Sequence, residues 1–411
     1  MDFDDTQEEA AWRAEVRTFL EQHRVDGADR DVERDVETAR AWQAALYEAG
    51  FVGVTWPVEV GGRGGTPMQQ AIIDQEMARL DLPSLVNLIG IGMCGPTVIV
   101  HGSDDQKQRY LERLLRADDI WCQLFSEPAA GSDLAGLRTR AVLGDDGDWR
   151  VNGQKVWTTL AHRSDYGILL TRTDPDVPKH RGLTMFVVDM KAPGVTVRPL
   201  RQMSGGADFN EVFFDDVVIP DAERLGAVGD GWRVALTTLM SERLSLGGGG
   251  TEIGPRAETV ARHVAEHLDG LSADRQALAR QELGRAYVAV LGARYTGYRQ
   301  LSKLSRGELP GPEASAGKLS GTRSARDLAD LAVRVLGDDA RVATTRDGSG
   351  FWQNLQAGLP GMAIAGGTDQ VLRNIIGERV LGLPAEPRAD KGVTFTESLT
   401  ESRAAGERTT A

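Results

Sequence analysis

The sequence has little of several features that identify whole classes of protein. Only two of its 411 residues are cysteines, Cys94 and Cys122, which excludes a disulfide scaffold and favours a reducing compartment. No run approaches eighteen apolar residues, so no membrane span is expected. The first residues, MDFDDTQEEAAW, are acidic and carry no basic segment followed by an apolar one, so no signal peptide is expected. We therefore predict a cytoplasmic protein.

Positive charge is also scarce. Lys and Arg number 47 against 60 Asp and Glu, which gives a net charge of −13 at pH 7. This balance argues against a nucleic-acid partner or an anionic membrane surface. The six histidines include no HExxH motif, and we expect no metal site. What remains is an ordinary globular composition, with 41% hydrophobic residues and a length that suits two or three domains.

The hydrophobic periodicity changes twice along the chain. Helix-like spacing predicts an N-terminal α-helical domain over residues 1–119. Short β-type runs separated by Gly, Asp and Pro then predict a middle β-domain over residues 120–225, an antiparallel barrel or a sandwich. Helical spacing returns in residues 226–383, and residues 384–411 are polar and aperiodic, which predicts a disordered tail. The chain is thus expected to be an α+β multi-domain protein.

One motif is set aside. Gly90 to Gly95 matches GxGxxG, which binds dinucleotides only between a strand and a helix. Here it lies in helical sequence, so we interpret its glycines as sites of close helix packing.

The most specific stretch is LFSEPAAGSDLAG, residues Leu124 to Gly136. Gly, Pro, Ser and Asp after an apolar run favour a tight loop at a strand end, rich in backbone donors and short polar side chains. An ordinary loop between strands has a similar composition, so the composition alone leaves a structural role open.

Two further motifs follow. In Val156-Trp157-Thr158-Thr159 the indole and the hydroxyl of Thr159 stand two residues apart, which on a strand predicts a shared face. An ordinary half-buried strand fits the same pattern. In IAGGTDQ, residues 364–370, a Gly pair opens a helix, whose free N–H groups suit a phosphate or an oxyanion. A plain helix start capped by Thr368 fits as well.

In this order the three motifs resemble the signatures of the acyl-CoA dehydrogenase family, and the layout extends the resemblance over residues 1–383. It implies a helical N-terminal domain, a middle antiparallel β-barrel domain and a C-terminal four-helix bundle that builds a tetramer. It also implies an FAD-dependent oxidation of an acyl-CoA to its 2,3-enoyl-CoA, in which Ser132 contacts the CoA arm. The FAD-binding residues that it implies are Leu124, Phe125, Ser126, Trp157, Thr158, Thr159, Thr368 and Gln370.

The reaction needs a base, because the Cα–H of an acyl thioester is a weak acid. Many family members carry a catalytic glutamate two residues before the Thr of the third motif, where this chain has Gly366. The chain offers Glu242, which on a helix shares a face with Leu239 and Thr238. An exposed glutamate, or one paired with Arg243, is the structural alternative.

One branch of the family, which includes isovaleryl-CoA and long-chain acyl-CoA dehydrogenases, takes its base from this other helix, immediately before an Arg. That branch has a small residue at the usual position. The resemblance therefore implies Glu242 as the base and Arg243 as a substrate contact. It further implies that the backbone N–H of Gly366 donates to the thioester oxygen.

Two departures from the family pattern concern the assembly. The family's Arg-x-x-Phe-Gly motif, which reaches the FAD of a neighbouring subunit, has no clear match, and Arg275 and Arg280 are the candidates to replace it. Residues 336–340 read LGDDA where a typical member has FGGNG, and two acids near a pyrophosphate are unfavourable. These departures resemble members that form mixed-subunit tetramers, including some that act on sterol side chains.

Several alternatives stay open from the sequence. A homotetramer and a heterotetramer with a sister subunit are both compatible with it, and an electron-transfer flavoprotein is the expected acceptor. The chain could instead be a catalytically silent subunit of a heteromeric enzyme, or a flavin oxidase or monooxygenase on the same fold. The sequence does not identify the acyl group.

Overall fold

The computed structural model describes residues 4–24, 35–80, 82–247, 254–308, 311–337, 350–387 and 390–400. Helices make up the N-terminal region, and three of them begin with a capping box, at Thr6, Thr66 and Ser103. A 3-10 turn and a π-helical turn lie between helices. The elements are α1 (Gln7–Gln22), α2 (Val36–Glu48), the 3-10 turn Val58–Val60, α3 (Pro67–Arg79), the π-helical turn Gly90–Cys94, α4 (Gly95–His101) and α5 (Asp104–Arg116).

The GxGxxG stretch is helical, as expected. The π-helical turn runs directly into α4, with no strand before it. A Cβ atom at Gly95 would lie 2.0 Å from the Trp56 ring. Close packing against Trp56 therefore accounts for that glycine.

Eight strands form the middle region. The sheet order is β6-β7-β3-β2-β4-β5-β8, and β1 pairs with β4. Most pairs are antiparallel, but β1 and β2 run parallel to β4. The strands are β1 (Trp121–Leu124), β2 (Arg140–Leu143), β3 (Trp149–Thr159), β4 (Tyr166–Arg172), β5 (Leu183–Asp189), β6 (Val195–Leu200), β7 (Phe209–Ile219) and β8 (Arg224–Leu225).

The C-terminal region is helical again. Helix α9 packs against α6, α7, α8, α10 and α11, and α6 also packs against β5 and α4. Helix α6 therefore touches all three regions of the chain. The helices are α6 (Gly231–Gly247), α7 (Ala257–His267), α8 (Ala273–Ser305), α9 (Ser315–Val335), α10 (Phe351–Met362) and α11 (Asp369–Arg379).

The predicted fold class is confirmed: a helical N-terminal region, a β-sheet region and a helical C-terminal region follow one another. The predicted disorder of the tail is wrong for residues 390–400. Phe395 is buried beneath the middle region, its N–H donates to the Val177 carbonyl (3.0 Å), and its ring stacks on the Arg172 guanidinium. Thr396 adds a backbone bond to the Pro175 carbonyl (3.1 Å), so this aromatic ring and a few polar contacts anchor a segment whose composition otherwise suits solvent.

No helix among the described residues combines the length and the apolar character that a bilayer span requires.

Candidate active site

The loop that follows β1 is built around the carboxylate of Glu127. This side chain is buried and accepts hydrogen bonds from the backbone N–H groups of Arg138 (2.6 Å) and Thr139 (2.8 Å). The backbones of Glu127 and Ala130 also bond to each other in both directions. One carboxylate thus fixes both ends of the loop.

Lys155 on β3 joins this loop to the strand beside it. Its side chain is fully buried, and its Nζ donates to Glu127 Oε1 (2.9 Å) and to the Phe125 carbonyl (3.0 Å). Burial lowers the pKa of Lys155 to about 8, against the opposing charge of Glu127. Burial also acts to raise the pKa of Glu127, but the Lys155 charge and the donated hydrogen bonds lower it overall. Sequence reasoning missed this pair, because both residue types usually lie on the surface.

Trp157 stands out on the next stretch of β3. The register against β7 shifts between Lys155 and Thr158, which is a β-bulge that simple alternation did not anticipate. Trp157 has a φ of +62° and is 62% exposed, an unusual placement for a bulky residue. The amide of the buried Asn210 supports the bulge by donating to the Thr158 carbonyl (2.9 Å). The strand therefore holds a large flat ring in solvent at a cost in backbone strain, which favours a ligand-binding role.

The residues around this bulge fit a flavin ring. The exposed indole offers a flat apolar surface, and the buried Thr158 hydroxyl has no hydrogen-bond partner in the described part of the chain. Ser126 and Thr159 are half-buried, and the Val156 N–H donates to the Ser126 carbonyl (2.9 Å), which brings the first two motifs together. A planar ring with a polar edge would satisfy both the apolar surface and the unpaired hydroxyl.

Leu124 and Phe125 differ from these residues in the burial of their side chains. Both side chains are buried in hydrophobic clusters. A cofactor could therefore contact only their backbone groups. Their part in FAD binding stays a prediction.

Ser132 lies exposed at the far end of the loop. Its neighbour Asp133 accepts two bonds from Lys179 Nζ (2.7 and 2.9 Å), and Lys179 also pairs with Asp390 of the C-terminal segment. The predicted CoA-contacting residue is therefore solvent-accessible and lies next to a charged cluster. Its contact with CoA stays a prediction.

Helix α6 carries the candidate base. Thr238, one turn before Glu242, is buried and its hydroxyl bonds to that of Thr97 on α4 (2.8 Å). Leu239 packs against the same core, and Glu242 itself is half-buried. Because residues i and i+4 share a helix face, Glu242 lies on the inward face of α6. The alternative of a fully exposed glutamate does not hold.

The third motif forms a turn between α10 and α11. Gly366 and Gly367 both adopt left-handed backbone conformations, with φ of +65° and +92°. Thr368 caps α11 by accepting from the Val371 N–H (3.1 Å), and Gln370 is exposed in the first turn. Consecutive left-handed residues require glycine at low cost, which accounts for the Gly pair.

A second buried lysine links this turn to α6. Lys318 on α9 is 2% exposed, and its Nζ donates to the Gly367 carbonyl (3.0 Å) and lies 3.6 Å from Asp369. Burial lowers the pKa of Lys318, while the charges of Asp369 and Glu242 oppose that shift. Helix α6, which carries Glu242, packs against α9, so Lys318 links that helix to the Gly366–Gly367 turn. Sequence analysis did not single out Lys318.

Some predicted residues lie outside what the structure describes. Arg243 continues α6, but its side chain is outside the described part, so its substrate contact stays a prediction. The two acids of LGDDA, Asp338 and Asp339, are also outside it.

One group of metal-ligating side chains occurs elsewhere. His263, Glu266 and His267 on α7 place their ligand atoms within 4.8 Å of one another. One nitrogen of each histidine ring already bonds a backbone carbonyl, of Ala332 and of His263 respectively. Metal–nitrogen bonds of about 2.0 Å require ligand atoms that lie closer together than 4.8 Å. The expected absence of a metal stays a prediction.

Comparison with known proteins identifies the three regions of the chain. Models of the acyl-CoA dehydrogenase N-terminal, middle and C-terminal domains match residues 6–118, 122–217 and 229–381. Acyl-CoA dehydrogenase FadE34 of Mycobacterium tuberculosis is 41% identical over 350 residues, which are 83% of this chain but 46% of that protein. This chain thus spans about half the length of FadE34.

Two solved structures are similar over nearly the whole chain. A steroid acyl-CoA dehydrogenase, Tcur3481-Tcur3483, has a TM-score of 0.81 and 29% identity, covering 94% of this chain and all of that one. The ChsE4-ChsE5 complex of Mycobacterium tuberculosis has a TM-score of 0.79 and 30% identity, with the same coverage.

Proposed function

The chain belongs to the acyl-CoA dehydrogenase family, and we propose that it dehydrogenates a bulky, steroid-sized acyl-CoA with Glu242 as the catalytic base. The family reaction uses FAD and converts an acyl-CoA to the 2,3-enoyl-CoA. We assign FAD binding to Ser126, the bulge around Trp157 and Thr158, Thr159, and the start of α11 at Thr368. FAD bound there would be the oxidant that accepts the β-hydrogen as a hydride.

The residues of this chain supply the remaining chemistry. Glu242 removes the α-proton of the thioester, which leaves negative charge on the thioester oxygen. The backbone N–H of Gly366 donates to that oxygen, a role that needs only a main-chain donor. Glycine at position 366 is therefore compatible with catalysis once the base comes from α6. The exposed Ser132 is the proposed contact for the CoA arm.

One observation carries this assignment. Lys318 on α9 donates to the Gly367 carbonyl, and α9 packs against α6, whose Glu242 charge also acts on Lys318. This shared neighbour supports a site in which the proposed base and the proposed oxyanion donor serve one substrate. An isolated surface glutamate would have no such relation to the turn.

The test is anaerobic bleaching of the yellow protein by a panel of acyl-CoAs, from butanoyl-CoA to a steroid side-chain acyl-CoA. Wild type should bleach, and Glu242→Gln should slow bleaching by about 10²- to 10⁴-fold, as expected for loss of a general base. FAD content and melting temperature should stay near wild type, because Gln keeps the shape of the side chain.

The control is Glu282→Gln, which removes a half-buried charge on α8 that pairs with Arg334. It should bleach at the wild-type rate. Equal rates for wild type and Glu242→Gln would refute the base. A colourless or inert wild type would instead indicate a silent subunit, and peroxide formed in air would indicate an oxidase.

The acyl group is proposed from the relatives. A similar structure is named a steroid acyl-CoA dehydrogenase, and its likeness extends over 94% of this chain. We therefore expect the steroid end of the panel to give the fastest bleaching. Fastest bleaching by butanoyl-CoA would refute this part of the proposal and leave the reaction intact.

The assembly is proposed to be a heterotetramer with a sister subunit, and an electron-transfer flavoprotein is the proposed acceptor. The ChsE4-ChsE5 relative is a complex of two named components. Large apolar side chains are exposed on α8 and around α11, which suits association. They include Leu278, Tyr287, Val288, Tyr295, Ile364, Val380, Leu381 and Leu383. Native mass spectrometry of the chain alone and co-expressed with its sister subunit would separate a homotetramer from a heterotetramer.

The location is proposed to be the cytoplasm. Cys94 and Cys122 are both buried and unbridged, which is typical of a reducing compartment.

A further inference from the structure

Lys318 takes no direct part in the proposed reaction. It is one of the largest fully buried side chains in the described part of the molecule. Burying an ammonium is costly unless its charge is compensated, and lysines are rarely buried without a role. Its surroundings therefore need an explanation.

The contacts of Lys318 are unusual for a structural ion pair. Its Nζ donates to a neutral carbonyl, that of Gly367 at 3.0 Å. A carboxylate oxygen of Asp369 lies 3.6 Å from Nζ and has no hydrogen-bond partner in the described residues. A further anion near this ammonium would be stabilised by its charge.

The face of α9 around Lys318 is polar as well as buried. Ser315 and Thr322, at positions i−3 and i+4, lie on the same face. Both hydroxyls are buried without a hydrogen-bond partner in the part of the chain that the structure describes. A face built only for helix packing would carry apolar side chains at these positions, so this face is suited to polar chemistry.

We propose that Lys318 is a positioning residue for the dehydrogenation, which holds the Gly366–Gly367 turn in its reactive conformation and directs its positive charge toward Glu242 on α6, the helix packed against α9. The turn is the natural target, because two consecutive left-handed glycines have little conformational preference of their own. The bond to the Gly367 carbonyl restrains the backbone immediately after the proposed oxyanion donor. The proposal rests on the proposed function of Glu242 and Gly366.

The two contributions of Lys318 are separable. The hydrogen bond acts on the geometry of the turn, and a displacement of about 1 Å there costs about 10²-fold in rate. The charge acts on Glu242, because a nearby cation favours the ionised carboxylate. One substitution can remove both contributions, and another can remove the charge alone.

The experiment compares Lys318→Met, Lys318→Gln and the control Lys303→Met, each purified with FAD. Lys303 lies on α8 and forms a partly exposed ion pair with Glu313 (2.6 Å), so its loss should change little. Bleaching rates are measured from pH 5 to 9 with the acyl-CoA of the panel that reduces wild type fastest. Hydrogen–deuterium exchange is measured for the peptide that contains residues 363–368.

For Lys318→Met we expect kcat to fall about 10- to 100-fold, with a much smaller change in KM. The acidic limb of its pH–rate profile should move to higher pH, and exchange in residues 363–368 should rise. Lys318→Gln keeps a donor, so it should recover part of kcat while its acidic limb stays displaced. A purely structural lysine would lower stability without moving the acidic limb.

The proposal is overturned if Lys318→Met matches Lys303→Met in kcat, in the acidic limb and in exchange of the turn. If Lys318→Met does not fold, Lys318→Gln supplies the comparison, because it removes the charge and its exchange at residues 363–368 reports whether the amide still holds the turn. Failure of the proposed function is distinguishable, since it would leave wild type unbleached. The exchange measurement tests the hold on the turn in either case.

Discussion

The two halves of the proposed site each contain one buried lysine, and the two lysines are held differently. In the β-sheet half, Lys155 contacts a carboxylate directly, Glu127 at 2.9 Å, and a carbonyl at 3.0 Å. In the helical half, Lys318 contacts the Gly367 carbonyl at 3.0 Å, and a carboxylate oxygen of Asp369 lies 3.6 Å away. Lys155 thus donates directly to a carboxylate, whereas Lys318 donates to a neutral carbonyl.

This difference indicates that the two lysines have different roles. The Lys155–Glu127 pair joins a loop to a strand, so its role is to fix the position of the loop. The Lys318 ammonium faces a turn and a helix that carry the proposed reacting groups, so its charge is available to them. Buried ion pairs add little net stability, but removal of one partner is strongly destabilising. The same substitution should therefore harm stability in one half and catalysis in the other.

The largest effect is expected for Lys155→Met. It leaves the Glu127 carboxylate buried without its cation, which costs about 3–5 kcal/mol in the free energy of unfolding. The loop that contains Ser126 should loosen, so FAD content should fall as well. Urea unfolding and the flavin absorbance of the purified protein measure the two effects.

The matched control is the double variant Lys155→Met/Glu127→Gln. It removes both charges while the amide keeps an acceptor for Arg138 and Thr139, so much of the lost stability should return. If the double variant is no more stable than Lys155→Met, the pair does not act as a unit and the comparison of the two halves fails on the β-sheet side.

Gly366→Ala should give the next largest effect, this time in the helical half. A Cβ atom at a φ of +65° costs about 1–2 kcal/mol, which the turn can relieve only by moving. We expect a lower kcat with a modest loss of stability, measured by bleaching and by thermal unfolding.

Gly307→Ala is the control for Gly366→Ala. Gly307 has a φ of +75° at the end of α8, with open space around it. It should show the same loss of stability with an unchanged kcat. Equal kcat values for the two variants would show that strain alone, rather than the position of the turn, explains the effect.

Much of the fold was predictable because its patterns are local. Periods of 3.6 and 2 residues identified the helical and β regions, and the helical surroundings of Gly90 to Gly95 correctly excluded a dinucleotide site. The tail was mispredicted around Phe395, because the few side chains that anchor it leave its composition almost unchanged. The bulge at Trp157 depends on the register against β7, which strand alternation does not reveal.

The buried lysines mark the limit of sequence reasoning. Lys155 follows a β-type alternation in which a charge is expected to face solvent, and its partner Glu127 is 28 residues away. Lys318 could have been noticed from its surroundings, since its neighbours on the α9 face, Ser315, Thr322 and Ala325, are small and buried. A lysine within a stripe of small residues could have been recognised as buried. Its acceptor, the Gly367 carbonyl, is 49 residues away and is known only from the fold.

The smallest expected effect is a pH dependence of stability, and it tests the difference between the two lysines directly. Burial lowers the pKa of Lys155 from 10.5 to about 8, so between these values the unfolded chain holds a proton that the folded protein has lost. Stability rises with pH wherever the unfolded state binds more protons. Wild type should therefore gain stability relative to Lys155→Met/Glu127→Gln as pH rises from 8, by at most about 1.4 kcal/mol per pH unit. Urea unfolding at pH 7.5, 8.5 and 9.5 measures this slope. Parallel pH dependences of the two proteins would mean that Lys155 titrates as an exposed lysine does, and the contrast between the two halves would lose its basis.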